Sequence, residues 1–514
     1  MYIHTIIIGA GPSGIQLGSF LQQGGYDYLI LEQHAMAGSF FHSYPHTGKL
    51  ISINKKYTGY SNPEFNLRHD WNSLLSEKGP LFTNYSNDYY PHRDDLQRYL
   101  HDFSIVNQVR IQYQTTVISV HPLSNGYQIS VSYQGQTYQY TCVKLIVAKG
   151  LSPKMPTHLQ IKTNVPIYHY GQYPRNYFLS ESTISSFTNK SLAIIGDGNS
   201  AMELANHFVP YCSKIVVYGR STSSNHPWSI STNYTGDVRG VYLGFFDTFM
   251  LKSMNGYDVL LSPLQYEITH ENNQFKIAER SFDHMIFASG WEFDASIFSF
   301  SESLHRSGKY PRITPEFEST SHPGLYFIGS LSHSLDVRKS SGGFIHGFRY
   351  LIRYFYQLHY QESFPVVSFP LTSDWNAFSN ELFLHFNRTS AMYQMHGRIG
   401  TIFYKKEKSM NVIYDVSIDL YHFTVHHCNP LLSVSSEELV SIITFEFGKD
   451  KNNFINQVGL KKGREERAEL LHPVIRIYQH HHMVFEFHFD EDLLAEFTSA
   501  YYHSKMVDIL SKWY

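Results

Sequence analysis

One pattern constrains this chain more than any other: a strand, a glycine turn and a helix, written twice. TIIIGAGPSG occupies residues 5–14, and IIGDGNSAME repeats the grammar at 194–203. In the first copy IHTIII (3–8) is a near-continuous apolar run, as expected of a strand buried on both faces of a parallel sheet. Gly9-x-Gly11-x-x-Gly14 follows, then IQLGSFLQQGG with apolar residues at helical spacing. The next strand, YDYLILE, ends at Glu32. The first glycine permits the tight turn, the second lets backbone approach a pyrophosphate, and the third allows close helix–strand packing. The helix N-terminus faces the phosphates, and the acid accepts from ribose hydroxyls. With all these parts in order, the segment is expected to bind a dinucleotide.

In the second copy, strand SLAIIG leads to Gly196-x-Gly198-x-x-Ala201, with Asn199 and Ser200 opening the helix. After strand KIVVYG comes Arg220 in place of an acid, followed by Ser221, Thr222 and Ser223. A cation there suits a 2′-phosphate, which a carboxylate would repel. The two turns are therefore expected to hold different dinucleotides, one with a free ribose and one phosphorylated. The alternative is a second unit that keeps the fold and binds nothing.

The segments between fit two nested units. A meander (VISV, GYQISVSY, TYQYTC) ends in KLIVAKG at Gly150, and DHMIFASGW (283–291) closes the second unit. PGLYFIGSLSHS (323–334) returns to an apolar strand, and Gly342-Gly343 precede a helix beginning near Phe344. A helix N-terminus at that place can stabilise negative charge on a reduced flavin. Close packing is the other reason for a glycine pair.

Bulk properties narrow the class. At 514 residues the chain exceeds a single core. Lys plus Arg (41) nearly cancels Asp plus Glu (44), so no global field points to nucleic acid. The three cysteines, Cys142, Cys212 and Cys428, form no C-x-x-C, which argues against a disulfide framework or a dithiol redox centre. No apolar run reaches membrane-spanning length, and nothing resembles a leader peptide, so a cytoplasmic protein is expected. His426-His427 and His480-His481-His482 lack ligand spacing, so no metal is expected.

GAGPSG, VAKG, GDGNSA, FASGW and FIGS together resemble the class B flavin monooxygenase superfamily across residues 1–355. A closer resemblance is carried by KLISINKKYTGYSNPEFNLRHDWNSLL (49–75), YYPHRDDLQRYL (89–100), DVRG, GFFDTFMLKS and SHSLDVRKSSGGFIHGFRY (332–350). These are similar to the FAD-dependent oxidoreductase domain-containing family, more weakly so at SAMYQMHG and LHPVIRIY. The resemblance implies non-covalent FAD, NADPH as reductant, and oxygenation through a flavin C4a-hydroperoxide or another two-electron oxidation. It implies FAD contacts at Gly9, Gly11, Pro12, Ser13, Gly14, Glu32, Gln33, Ser39 and Phe40. Ser330 replaces the acid usual after the returning strand, with Asp336 as its substitute, and Gly342, Gly343 and Phe344 complete the flavin side. Asn54 stands where the superfamily places an Asn near flavin C4a; a turn role is its alternative. Arg68, His69, Asp70 and Trp71 cluster polar chemistry beside an aromatic ring, as a substrate site or as a plain helix start. The Baeyer–Villiger signature is absent, HYGQYPRNYF (169–178) standing in its place.

The expected architecture is α/β, with two Rossmann-type units and a C-terminal α+β region. Residues 1–155 form the first part of the FAD unit, 156–290 the NAD(P)H unit, 291–360 the FAD return segment and 361–514 an accessory region. That region covers the site, mediates a homodimer or binds a partner; the sequence leaves this open. Two functions stand: a monooxygenase using molecular oxygen on a small or peptide-like substrate, and a flavoprotein whose main task is binding a protein. A disulfide reductase fails for want of paired cysteines.

Overall fold

The computed structural model describes residues 1–219, 259–418, 439–448 and 470–514, apart from 157–158, 164, 197, 264–266, 278, 305, 337–339, 371–373, 481 and 493. Arg220, DVRG, GFFDTFMLKS, Cys428 and His426-His427 lie outside the described residues.

Five parallel strands form the first sheet, in the order Leu325–Phe327, Lys144–Val147, Thr5–Ile8, Tyr28–Leu31, Ile111–Gln112. Thr5–Ile8 is the middle strand, and all four of its residues are buried. That is why its sequence runs apolar without alternation. Helix Pro12–Gln23 packs against the long helix Ile345–Tyr360, and the antiparallel meander Thr115–Cys142 meets strand Lys144–Val147. The return segment thus completes the first sheet at Leu325–Phe327.

The second sheet is also parallel: Val259–Pro263, Lys214–Gly219, Ser191–Ile195, His284–Phe287. Its faces follow the two-residue period of a strand. Leu192 and Ile194 pack with helix Asn199–Phe208, whereas Ala193 and Ile195 pack with the small sheet that includes Glu267–Glu271 and Gln274–Ile277. The chain crosses between the units on a two-stranded ribbon, Ser152–Pro153 against Trp291–Glu292.

Residues beyond 360 build a six-stranded antiparallel sheet, ordered Val367–Pro370, Ser409–Ser417, Ile399–Lys406, Val440–Phe447, Leu471–Gln479, His482–His488. Helices Trp375–Phe386 and Ala500–Trp513 pack together, and their apolar residues join the core of the first unit without a break. The second unit keeps its own two cores. Among the described residues, no helix is long and apolar enough to cross a membrane.

Candidate functional site

A cavity of about 2270 Å³ reaches both glycine turns. Gly9, Gly11, Pro12, Ser13, Glu32, Gln33, Ser39 and Phe40 line it from the first unit, and Gly196, Gly198, Asn199 and Ser200 from the second. Ser330, Gly343 and Phe344 line it from the return segment.

The glycines divide into two kinds. Gly9 has φ +102°, and a Cβ there would sit 3.0 Å from the Ala148 carbonyl oxygen. A Cβ on Gly14 would lie 2.0 Å from the Gly9 carbonyl oxygen. The fold itself demands these two. Gly11 differs: its backbone is ordinary extended (φ −73°, ψ −179°), and a Cβ would meet nothing nearer than 4.0 Å. Gly198 matches it, with φ −86°, ψ −171° and nothing within 4 Å. Glycine at positions with open space in front marks a cradle for a group that approaches the backbone closely.

Glu32 is buried at the end of its strand, where it accepts from the Ala10 amide (2.8 Å), the His34 amide (2.9 Å) and Ser39 Oγ (3.1 Å). These donors fix the carboxylate in the cavity wall. Between the units, Tyr44 hydroxyl meets Ser200 Oγ at 3.0 Å, and Phe40 and Tyr44 pack edge-on against Trp291. Glu203, one turn into the second helix, is buried with Thr47 and Tyr170 as donors. Burial pushes its carboxyl up to about 7, although both hydrogen bonds pull the other way.

The predicted catalytic trio lies outside the cavity. Arg68 donates to the carbonyls of Thr389 (3.0 Å), Ala495 (3.2 Å) and Phe386 (2.6 Å), and burial pulls its guanidinium down to about 10. Asp70 accepts from the Asn72 and Ser73 amides and from Ser73 Oγ. Asn54 donates to the Ser86 and Asp88 carbonyls and bridges to Asp70 through its backbone. Arg68 and Asp70 thus hold their own chain in place, whereas Asn54 Oδ1 is buried with no hydrogen-bond partner among the described residues. Asp336 does not line the cavity either. It is buried and gives its carboxylate to His333 (2.8 Å), Ser340 and the Gly342 amide (2.9 Å). Burial raises its carboxyl, but His333, Ser340 and Arg398 outweigh that and hold it below the usual range. Gly14, Ala201 and Gly342 support the walls from behind: a Cβ on Gly342 would strike Asp336 at 2.4 Å, which is the packing reason for that glycine.

Sequence reasoning named Trp71 and Phe344 but passed over His346, the ring between them. Trp71, fixed by its Nε1 donating to the Arg68 carbonyl (3.2 Å), stacks on His346 at 4.3 Å, and His346 stacks on Phe344 at 5.7 Å. All three rings line the cavity. Arg349 secures them, donating to the carbonyls of Asp70, Ser73 and Leu67. Among the described residues no cysteine lines the cavity. Cys142 and Cys212 are buried elsewhere, and burial pushes both thiols up to about 12.

Against known proteins, a family profile described as pyridine nucleotide-disulphide oxidoreductase matches residues 6–329. The chain belongs to that family. Within it, the chain is 32% identical to mouse FAD-dependent oxidoreductase domain-containing protein 2, over 92% of this chain and 76% of that protein. The zebrafish protein of the same name is 29% identical, over 92% of this chain and 75% of its own length. This family member is thus an FAD-dependent oxidoreductase, and FAD and a pyridine nucleotide are its cofactors. A flavin monooxygenase from Stenotrophomonas maltophilia shares the fold, with TM-score 0.50 and 17% identity, over 68% of this chain and 96% of that one. The open cradles at Gly11 and Gly198 and the fixed Glu32 fit two dinucleotides.

Proposed function

We propose that the chain is an NADPH-using flavin monooxygenase acting on a soft nucleophile (an amine, a thioether or a ketone) in a small or peptide-like metabolite. The observation that carries this reading is one cavity shared by both glycine turns, with no cysteine in its described wall. A nicotinamide nucleotide held at the second turn would share this cavity with a flavin held at the first, with no cysteine in the described wall between them. FAD bound at the first turn would supply a two-electron carrier between NADPH and oxygen. The chain's own groups do the rest. Gly11 and Gly198 admit the pyrophosphates, Glu32 accepts from ribose, Arg220 pairs with the 2′-phosphate, and the Trp71–His346–Phe344 wall keeps water from the ring end. The names of the mouse and zebrafish relatives support the flavin half.

A second reading has its own observation. Among the described residues, nothing beyond Phe348 lines the cavity, so the six-stranded C-terminal sheet does not cover the site. A flavoprotein that presents this sheet to a protein partner, with secondary redox activity, would look the same. Rapid mixing of the reduced holoenzyme with oxygen separates the two. A long-lived hydroperoxide spectrum is expected of the monooxygenase; direct return to oxidised flavin with peroxide favours the partner-binding flavoprotein.

A further inference from the structure

His346 sits in the first turn of helix Ile345–Tyr360, 1% exposed, with its ring in the cavity wall. Neither Nδ1 nor Nε2 has a hydrogen-bond partner among the described residues. Its faces are taken by Trp71 and Phe344, so the ring cannot turn away to find one. The helix start beneath it is equally fixed: the Asp336 carboxylate holds the Gly342 amide, and a Cβ on Gly347 would meet the Ser341 carbonyl oxygen at 2.1 Å. A buried polar ring held rigid with two unmet nitrogens is costly unless a ligand supplies the partner.

The cavity says which ligand. Glu32 and Gly11 mark the ribose and pyrophosphate end, and Gly329 abuts Ser13, which brings 329–334 beside that pyrophosphate cradle. The remaining arm of the wall, through Ser330, Ser334 and Phe344, leads to His346 and the first amides of its helix, which have no intrahelical acceptor. Resting on the flavin reading above, we propose that His346 is a catalytic residue whose imidazole N–H donates a hydrogen bond to the ring system of the bound flavin. The proton stays on the imidazole, and no bond is made or broken. Burial and the guanidinium of Arg349 hold the ring well below its usual basicity, hence neutral. A neutral imidazole donates without losing its proton, as a group should that stabilises charge gained by the ring on reduction. The bond is therefore stronger to reduced than to oxidised flavin.

The test is the midpoint potential of the FAD-loaded enzyme. His346→Phe keeps an aromatic ring in the stack and removes the donor; His346→Gln restores an N–H. The Phe variant is expected to favour oxidised flavin about tenfold more than wild type, a fall of about 30 mV for a two-electron couple, with Gln recovering most of it. Equal potentials in all three proteins overturn the proposal, as does an unchanged potential paired with a raised KM for the oxidised substrate, which would place that substrate against His346. Should the Phe variant lose its flavin, ¹⁵N-histidine NMR of the wild-type holoenzyme decides, with Gln assigning the signal. The His346 ring resonances must move on dithionite reduction, and static resonances overturn it. A wild-type preparation devoid of flavin would instead sink the flavin reading itself.

Discussion

In both glycine turns the leading glycine, Gly9 or Gly196, has a positive φ and faces the carbonyl of an alanine, Ala148 or Ala288, on the neighbouring strand. In both, the second glycine is open. They part at the third position. Gly14 has no room for a Cβ, whereas Ala201 already carries one in the packed core. The strand registers, Ile8 with Leu31 and Ile195 with Tyr218, put Gly219 where the first unit has Glu32. Two residues into the helices from that third position, neutral Gln16 exchanges two hydrogen bonds with the Leu75 backbone, while the buried acid Glu203 takes Thr47 and Tyr170. The tighter turn, with its acid, shares one core with the C-terminal sheet; the looser one has separate cores behind a two-stranded crossing. That difference suits a resident FAD in the first and an exchanging NADPH in the second.

The largest effect is expected from Gly14→Ala. Its methyl would lie 2.0 Å from backbone, so overpacking should cost about 3 kcal/mol or more, read as a drop in Tm whether or not flavin is bound. Gly11→Ala should separate cradle from fold: flavin per chain falls steeply while the flavin-free protein melts as wild type does. Retained flavin at Gly11→Ala would erase the distinction between the two kinds of glycine.

Glu203 gives the acid end of the comparison a pH signature. Its folded-state carboxyl is raised, so its contribution to stability is fully present at low pH and fades as pH rises through about 7. The loss amounts to roughly 3–4 kcal/mol at about 1.4 kcal/mol per pKa unit. Glu203→Gln should flatten the Tm profile between pH 5 and 8, and a profile unchanged in the variant would show the carboxyl to be already ionised. Arg220 carries the smallest effect. A charge-assisted contact is worth roughly 1.5–3 kcal/mol, so NADPH should be preferred over NADH by about ten- to a hundredfold. Arg220→Ala should erase that preference through NADPH alone. Equal use of both coenzymes by the wild type would make Arg220 structural.

How much was legible depended on what each segment's signal was made of. Both turns could be read because their glycines, flanking apolar strands and helical spacing are local. The catalytic reading fell on residues that do not line the cavity. Arg68 and Asp70 drew attention through their charge, yet backbone carbonyls and amides consume both, and Trp71 between Asp70 and Asn72 is what reaches the cavity. His346 was in plain view within GGFIHGFRY; its signal is a lone imidazole in the first turn of an apolar helix, and only the missing partners distinguish it. The C-terminal sheet was illegible for another reason. Strands such as Leu471–Gln479 are buried on both faces, so their sequence shows no alternation to separate strand from helix.

The central claim, hydride transfer from one turn's nucleotide to the other's flavin across a cavity with no cysteine in its described wall, is tested most directly by anaerobic rapid mixing of the holoenzyme with NADPH. Flavin absorbance should bleach in one phase, at the same rate before and after alkylation of the thiols. Flavin that NADPH leaves oxidised, or bleaching that alkylation abolishes, would contradict it.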